Sequence, residues 1–395
     1  MSLETSRRAA AVKPSATIAV SARAAELRAA GRDILSLSMG EPDFPTPRPI
    51  CQAAIAAIRD GQTRYTAVDG TPELKRAIQE KFRRENDLDY DPDEIIASTG
   101  AKQSIYNLLL ALLNPGDEVL VPAPYWVSYP DMVRLADGEP VILATTADQQ
   151  FKIQPRQLAS AITPRTRLLL LNSPSNPTGK TYRRDEYRAL AEVLLEHPRI
   201  AIMSDEIYEH IYWGAEPYSS FAAACPELRQ RTLIVNGVSK AYAMTGWRLG
   251  YAAGPAPLIR QMRKIQGQST SNPCSIAQAA AVAALNGEQQ TVQKMNKAFR
   301  RRHDRFIPAL AALPGFACAP TDGAFYAFPA IDGALAARPE LGDDVAFANW
   351  LLDTAGVATV PGSAFGMPGH LRLSYAAADS VLDEALTRLR RALER

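Results

Sequence analysis

A series of short apolar runs in the middle of the chain constrains the fold more than any other feature. Segments with helical spacing, such as 103–113 and 184–195, separate these runs. Several runs contain no alternating polar residues, which is typical of strands covered on both faces of a parallel sheet. The pattern therefore predicts an α/β domain with a mainly parallel sheet. Its predicted strands are 94–98, 118–121, 140–144, 168–172, 200–204 and 232–236.

The C-terminal part has a different pattern, which predicts a smaller α+β domain. A helical segment at 288–313 is followed by short strand patterns and by an amphipathic helix from Ser380. Three prolines between residues 42 and 47 mark a linker, so we expect the first 47 residues to join this domain. The predicted large domain is therefore 48–287, and the small domain is 1–47 with 288–395. The short strands are predicted at 323–328, 357–359 and 370–374.

Composition excludes several classes of protein. Lys plus Arg is 44 and Asp plus Glu is 42, so the net charge is +2 and nothing predicts nucleic-acid binding. No apolar run reaches about 18 residues, so no membrane span is expected. The apolar run after Arg7-Arg8 stops at Lys13-Pro14, too early for a signal peptide. Four cysteines without a C-x-x-C pair indicate reduced thiols in a cytoplasmic protein.

Lys240 follows the apolar run at 232–236, and ligands of α/β domains bind at the carboxyl ends of strands. Arg248 comes eight residues later, between Gly246 and Gly250. A lysine with a lowered pKa forms Schiff bases with carbonyl compounds, and an arginine fork suits a phosphate. Together these residues suggest pyridoxal 5′-phosphate (PLP) as a cofactor. Taken alone, Lys240 is also compatible with a surface position at a strand end.

Other polar residues follow neighbouring strands. Asp205 suits a protonated pyridine nitrogen, with Tyr208 near a ring oxygen, although an Asp here also fits a helix cap. Asn176, between Pro174 and Pro177, presents its amide from an extended loop or simply forms a turn.

The segment 98–103 joins a strand to a helix, and its free amides suit a phosphate or form a cap without a ligand. Trp126 suits stacking on a flat cofactor or a place in the core. Arg372 alternates with apolar residues and, if buried, needs an anion, either a substrate carboxylate or a salt-bridge partner. The four histidines lack metal-ligand spacing, so no metal site is predicted.

These motifs, in this order, resemble the class-I aminotransferases over nearly the whole chain. The matching segments are Asn-Pro-Thr-Gly at 176–179, Ser-Asp-Glu-Ile-Tyr at 204–208, Ser-Lys with Gly-Trp-Arg-Leu-Gly at 239–250, and Arg372. The resemblance implies PLP-dependent fold type I, with a mainly parallel seven-stranded sheet and a smaller α+β domain. The resemblance is to bacterial aspartate aminotransferases of subgroup Ib in particular, since these share the residues seen here from Lys13 to Thr17 and at Lys102. Some of those enzymes also use prephenate.

The resemblance also implies a role for each site residue. Lys240 is the catalytic Schiff-base lysine, Asp205 faces the pyridine nitrogen, and Tyr65 reaches the phosphate of a neighbouring subunit, which implies a homodimer. A hydroxyl found three residues before the lysine in many relatives is replaced here by Gly237. The implied cofactor residues are Gly100, Ala101, Lys102, Trp126, Asn176, Asp205, Tyr208, Ser239, Lys240, Arg248 and Tyr65. The implied substrate residues are Gly40, Trp126, Asn176, Arg372, Lys102, Ser15 and Thr17.

The expected activity is a ping-pong transfer of an amino group between L-aspartate or glutamate and a 2-oxo acid. An aspartate/prephenate aminotransferase, an aromatic or other class-I aminotransferase, and a β-lyase or decarboxylase of the same fold remain alternatives. A regulatory aminotransferase-like domain is a further alternative, but only about 47 residues precede the large domain, few for a DNA-binding helix-turn-helix.

Overall fold

A computed structural model describes residues 3–394 of the chain. Within this range, no helix is both long enough and apolar enough to cross a lipid bilayer. The helices are α1 Arg7–Ala10, α2 Ala16–Ala29, α3 Arg48–Arg59, α4 Pro72–Asn86, α5 Ala101–Leu112, α6 Tyr129–Leu135, α7 Pro155–Ala161, α8 Arg184–Leu195, α9 Phe221–Ala224, α10 Ala256–Ser269, α11 Ser275–Asn286, α12 Gln290–Ala311, α13 Asp332–Ala336, α14 Asp344–Ala355 and α15 Asp379–Leu393.

The strands form one large sheet and two small ones. In chain order they are β1 Leu35–Ser36, β2 Ile95–Ser98, β3 Glu118–Ala123, β4 Glu139–Ala144, β5 Thr166–Asn172, β6 Ala201–Asp205, β7 Thr232–Gly237, β8 Gly250–Ala253, β9 Tyr326–Ala327, β10 Val357–Ala358, β11 Val360–Pro361 and β12 Leu371–Ser374. The large sheet has seven strands in the order β2-β8-β7-β6-β5-β3-β4, and only β8 runs antiparallel to its neighbours. The predicted seven-stranded, mainly parallel α/β sheet is thus confirmed.

Both faces of this sheet are covered, which explains the continuous apolar runs. Successive side chains of a strand point to opposite faces. In β5, Leu168 and Leu170 pack in a cluster with α5 and α6, whereas Leu169 and Leu171 pack in a second cluster with α8. All four leucines are at most 2% exposed.

The small sheets join distant parts of the sequence. Strand β1 pairs in parallel with β10, and β12 lies between β11 and β9 in an antiparallel sheet. On the basis of this pairing, we propose that the domains change at 47/48 and at 287/288.

All six strands predicted for the large sheet are present, within two residues at each end. The seventh, Gly250–Ala253, was not predicted as a strand, since it follows a segment interpreted only for its glycines and Arg248. The strand predicted at 323–328 was too long: only Tyr326–Ala327 pairs with β12, and Gly323 forms an isolated bridge with Tyr212. The amides of Gly323 and Ala324 instead donate to the carbonyls of Gly179 and Ile211, which takes this segment out of the sheet.

A buried ion pair connects α4 to the segment that follows β6. Lys81 is fully buried, contacts the carboxylate of Glu209 and donates to Oδ1 of Asn86 at 2.7 Å. Asn236 donates to the same Glu209 carboxylate at 2.7 Å. A buried carboxylate is stable only while such partners remain.

We expect Lys81→Met to lower the free energy of unfolding by about 3 kcal/mol, because Glu209 loses its buried countercharge. Arg83→Met on the same helix breaks an exposed pair with Asp89 and should cost at most about 1 kcal/mol. Urea denaturation followed by fluorescence measures both variants. Equal losses in the two variants would contradict the assignment.

Candidate active site

A cavity of about 280 Å³ lies where the carboxyl ends of β5, β6 and β7 meet the small sheets. The register explains this convergence, because Asn172 pairs with Asp205, and Asp205 pairs with Val235. Thirteen of the predicted site residues line this cavity: Ser15, Thr17, Gly40, Ala101, Lys102, Trp126, Asn176, Asp205, Tyr208, Ser239, Lys240, Arg248 and Arg372.

Lys240 lies just beyond β7, and its Nζ donates to the carbonyl oxygen of Gly40 at 2.6 Å. Burial above all, together with the cations Arg248 and Arg372, lowers the pKa of Lys240 to about 8, while the carboxylates of Glu41 and Asp205 oppose this shift. A larger share of this amine is therefore neutral near physiological pH than in an ordinary lysine, as a nucleophile requires.

Asp205 ends β6 and is 5% exposed. Its Oδ2 accepts from the hydroxyl of Tyr129 at 2.6 Å, and its Oδ1 accepts from the amide of Ile207 at 3.2 Å. Burial raises the pKa of Asp205 to about 6, while these two hydrogen bonds and Lys240 oppose the rise. The result is a carboxylate that gains from a cationic partner in the cavity.

Arg372 on β12 is 2% exposed and has no carboxylate partner in the described structure. Nη1 donates to Oδ1 of Asn176 at 3.1 Å, and Nη2 donates to the carbonyl of Ser38, while Nε is buried without a partner. Burial lowers the pKa of Arg372. A buried arginine paired only with neutral oxygens suits an incoming anion.

The amino end of α5 forms a cradle beside Arg248. Gly100 precedes this helix with φ +87° and no side-chain cap, so the first amides of the helix stay available for a ligand. A Cβ at Gly100 would collide with the guanidinium of Arg248, and one at Gly250 would collide with the amide of Ala101. Backbone amides and a guanidinium held this closely suit a phosphate. Gly100 thus borders the site without lining the cavity.

Gly237 explains why a hydroxyl is missing near this cradle. A Cβ at Gly237 would lie 2.9 Å from the Cα of Gly250 on the neighbouring strand. A serine here would therefore push β7 and β8 apart. Ser239, two residues further along the chain, provides a hydroxyl that lines the cavity.

The cavity is also lined by a lysine and two hydroxyl side chains. Lys102 donates to Oγ of Ser128 at 3.1 Å and lies over the Trp126 ring, 4.7 Å from its centroid. Partial burial and Arg248 lower the pKa of Lys102. Thr17 has a buried hydroxyl without a partner, and Ser15 caps α2 without a side-chain hydrogen bond. The amine and the two hydroxyls are therefore available to bind a polar ligand.

Tyr65 is the one predicted residue that the fold keeps away from these groups. Its side chain is 91% exposed and does not line the cavity of its own chain.

Sequence reasoning missed Tyr129 and Tyr326. Tyr129 lies three residues after Trp126, a spacing that puts both side chains on one side of a helical turn. The two rings pack edge to face at 5.3 Å. Tyr326 belongs to the predicted strand at 323–328, but nothing in the sequence indicates that its hydroxyl meets that of Tyr208, 2.8 Å away.

Comparison with known proteins agrees with this geometry. The sequence model of "Aminotransferase class I and II" matches residues 32–389. An aspartate/prephenate aminotransferase from Cereibacter sphaeroides is 55% identical, over 96% of each chain.

Two solved structures are similar throughout. An aspartate aminotransferase from Rhizobium meliloti has a TM-score of 0.95 and 47% identity, covering 100% of both chains. An aspartate aminotransferase from Thermus thermophilus with maleate has a TM-score of 0.93 and 44% identity, covering 99% of this chain and 100% of the other. These matches confirm the predicted fold type I architecture, and the chain belongs to the class I and II aminotransferases.

Proposed function

We propose that this aminotransferase moves an amino group between L-aspartate or glutamate and a 2-oxo acid, with PLP as its cofactor. The observation that carries the proposal is one cavity that holds Lys240 with a lowered pKa, the buried carboxylate of Asp205 and the guanidinium of Arg372, which donates only to neutral oxygens. Two relatives whose names include aspartate are 55% and 48% identical to this chain over nearly its full length, and they support the substrate class.

The donor set fits PLP. The cradle of α5 amides, Arg248 and Ser239 would hold the phosphate, Asp205 the pyridine nitrogen, and Asn176 with Tyr208 the ring oxygen. Trp126 would cover the ring face, and Lys240 would hold the aldehyde carbon. When bound, PLP supplies an electron sink that makes the α-proton of an amino acid acidic.

The residues of the chain then position the substrate and move its proton. Arg372, with Asn176 and the backbone of Gly40, would orient the α-carboxylate. The amine of Lys240 would take the α-proton as a base and return it as an acid, a role that suits a pKa near the working pH. The Asp205 carboxylate would stabilise positive charge on the pyridine nitrogen of PLP.

The side chains of Lys102, Ser15 and Thr17 would receive the distal carboxylate of a dicarboxylic substrate. These three side chains line the same cavity as Arg372, and a dicarboxylate needs a cation at each end. The Thermus structure is named as an aspartate aminotransferase with maleate. Maleate is a dicarboxylate, so this name supports the substrate class. Prephenate, also a dicarboxylate, is the second candidate, because the Cereibacter relative is named for both substrates.

We further propose a homodimer in which Tyr65 reaches the phosphate site of the second subunit. Its 91% exposure and its absence from the cavity of its own chain support this proposal.

Lys240→Ala tests the proposed function. We expect the visible absorbance of lysine-bound PLP to disappear and amino transfer from aspartate to 2-oxoglutarate to fall by about 10⁴-fold, because both the covalent attachment and the base are lost. Lys264→Ala, an exposed lysine on α10, is the matched control and should behave like the wild type. Unchanged turnover in Lys240→Ala would refute the proposal.

The lowered pKa of Lys240 predicts how cofactor capture depends on pH. Below about 8 the amine carries a proton and cannot attack the aldehyde, so the rate of PLP binding by the stripped protein should rise with pH and level off above it. Arg372→Met removes a cation that lowers this pKa, so its midpoint should move to higher pH. Stopped-flow absorbance measures the rates, and a rate independent of pH would contradict the assignment.

Lys102→Met tests substrate recognition. We expect kcat/KM to fall by about 10- to 100-fold for aspartate and by much less for phenylalanine, which has no distal carboxylate. Lys102→Arg, which keeps the charge, should retain more of the aspartate activity. An equal loss for both amino acids, with weaker PLP binding, would instead place Lys102 at the phosphate.

A further inference from the structure

Tyr326 lies in the wall of the cavity, and the proposed reaction gives it no role. It is fully buried, lines the cavity, and is held in β9, where it pairs with Ser374 of the strand that carries Arg372. A buried tyrosine in a cavity wall contributes both an apolar ring and a polar hydroxyl.

The hydroxyl of Tyr326 makes two close approaches. It lies 2.8 Å from the hydroxyl of Tyr208, within hydrogen-bond distance. A Cβ at Gly40 would come within 2.7 Å of the same oxygen, so the glycine is needed to admit it. The hydroxyl therefore touches the residue proposed for the ring oxygen of PLP and the backbone proposed for the substrate.

The ring of Tyr326 supports Arg372. The guanidinium carbon lies 4.6 Å from the Tyr326 ring centroid and 5.1 Å from that of Phe365. A desolvated guanidinium over an aromatic face gains cation–π attraction. Two rings thus hold the guanidinium of Arg372, which has no carboxylate partner in the described part of the chain.

With PLP bound, the hydrogen bond between the hydroxyls of Tyr208 and Tyr326 would have only one possible direction. A phenol has one proton to donate. Burial raises the pKa of both Tyr208 and Tyr326, so both keep their protons at neutral pH. If Tyr208 donates its proton to the ring oxygen of PLP, the proton between the phenols must come from Tyr326. Arg372 and Asp205 are the charged groups that face this pair.

We propose that Tyr326 is a positioning residue whose hydroxyl and ring have separate roles. Its hydroxyl donates to Tyr208, which directs the Tyr208 proton to the cofactor oxygen and strengthens that donation. Its ring holds the guanidinium of Arg372 in place for the α-carboxylate. This inference rests on the proposed function, because it concerns the oxygen that Tyr208 would bind.

Tyr326→Phe in the PLP-loaded enzyme tests the role of the hydroxyl. A donor to the ring oxygen favours the form of lysine-bound PLP with one proton fewer, so weakening it should raise the pH midpoint of the visible absorbance by about half a unit to one unit. Tyr375→Phe removes an equally buried hydroxyl, bonded outside the cavity to Thr321, and should leave the midpoint unchanged. A wild-type midpoint in Tyr326→Phe would overturn the proposal.

A double variant tests whether Tyr326 acts through Tyr208. Adding Tyr326→Phe to Tyr208→Phe should produce no further shift, because the residue that transmits the effect is gone. A full additional shift would overturn that route.

The ring is tested by comparing Tyr326→Leu with Tyr326→Phe. We expect the leucine variant to raise the KM for aspartate about 5- to 10-fold above the phenylalanine variant, as loss of a cation–π contact implies. Equal KM values would overturn the support of Arg372. If the wild type neither holds PLP nor transfers an amino group, the proposed function itself fails, which is a different result from an unshifted Tyr326→Phe.

Discussion

The register of the central sheet is the constraint on which the site depends. Asn172 and Asp205 are direct partners at the ends of β5 and β6, and Gly237 faces Gly250 beside them. A shift of one residue would turn Asp205 toward the opposite face of the sheet. The register is in turn fixed by apolar side chains buried on both faces, such as Leu168 and Leu169.

The cavity contains buried charged side chains whose charges the protein itself compensates only in part. Asp205 accepts two hydrogen bonds but still has a raised pKa, Lys240 has a lowered one, and Arg372 meets only neutral oxygens. Burying such groups costs free energy in the unliganded protein. A ligand with a cationic ring nitrogen, an aldehyde and carboxylates would remove that cost, which favours binding of PLP and of a dicarboxylic amino acid.

Close backbone approach is the second device of the site. Gly100, Gly237 and Gly250 let two strands and the start of α5 meet where a Cβ would collide. This packing leaves amides beside Arg248 and leaves no room for a hydroxyl at 237. Gly40, in contrast, leaves room for the hydroxyl of Tyr326, and its carbonyl oxygen accepts from Lys240, so one glycine lies beside both side chains.

The sequence alone determined six of the seven strands of the central sheet, its mainly parallel topology and the polar residues at the strand ends, because apolar periodicity and local motifs depend on neighbours in the chain. Lys240, Asp205, Asn176 and Arg372 were predicted in this way, and the fold brings all four to one cavity. Tertiary structure alone decided the contacts between distant segments. Tyr326 meets Tyr208 across 118 positions, and Tyr129 meets Asp205 across 76. Such pairs depend on how a small sheet and a helix pack against the central sheet, and that packing leaves no periodic signal in the sequence around either residue.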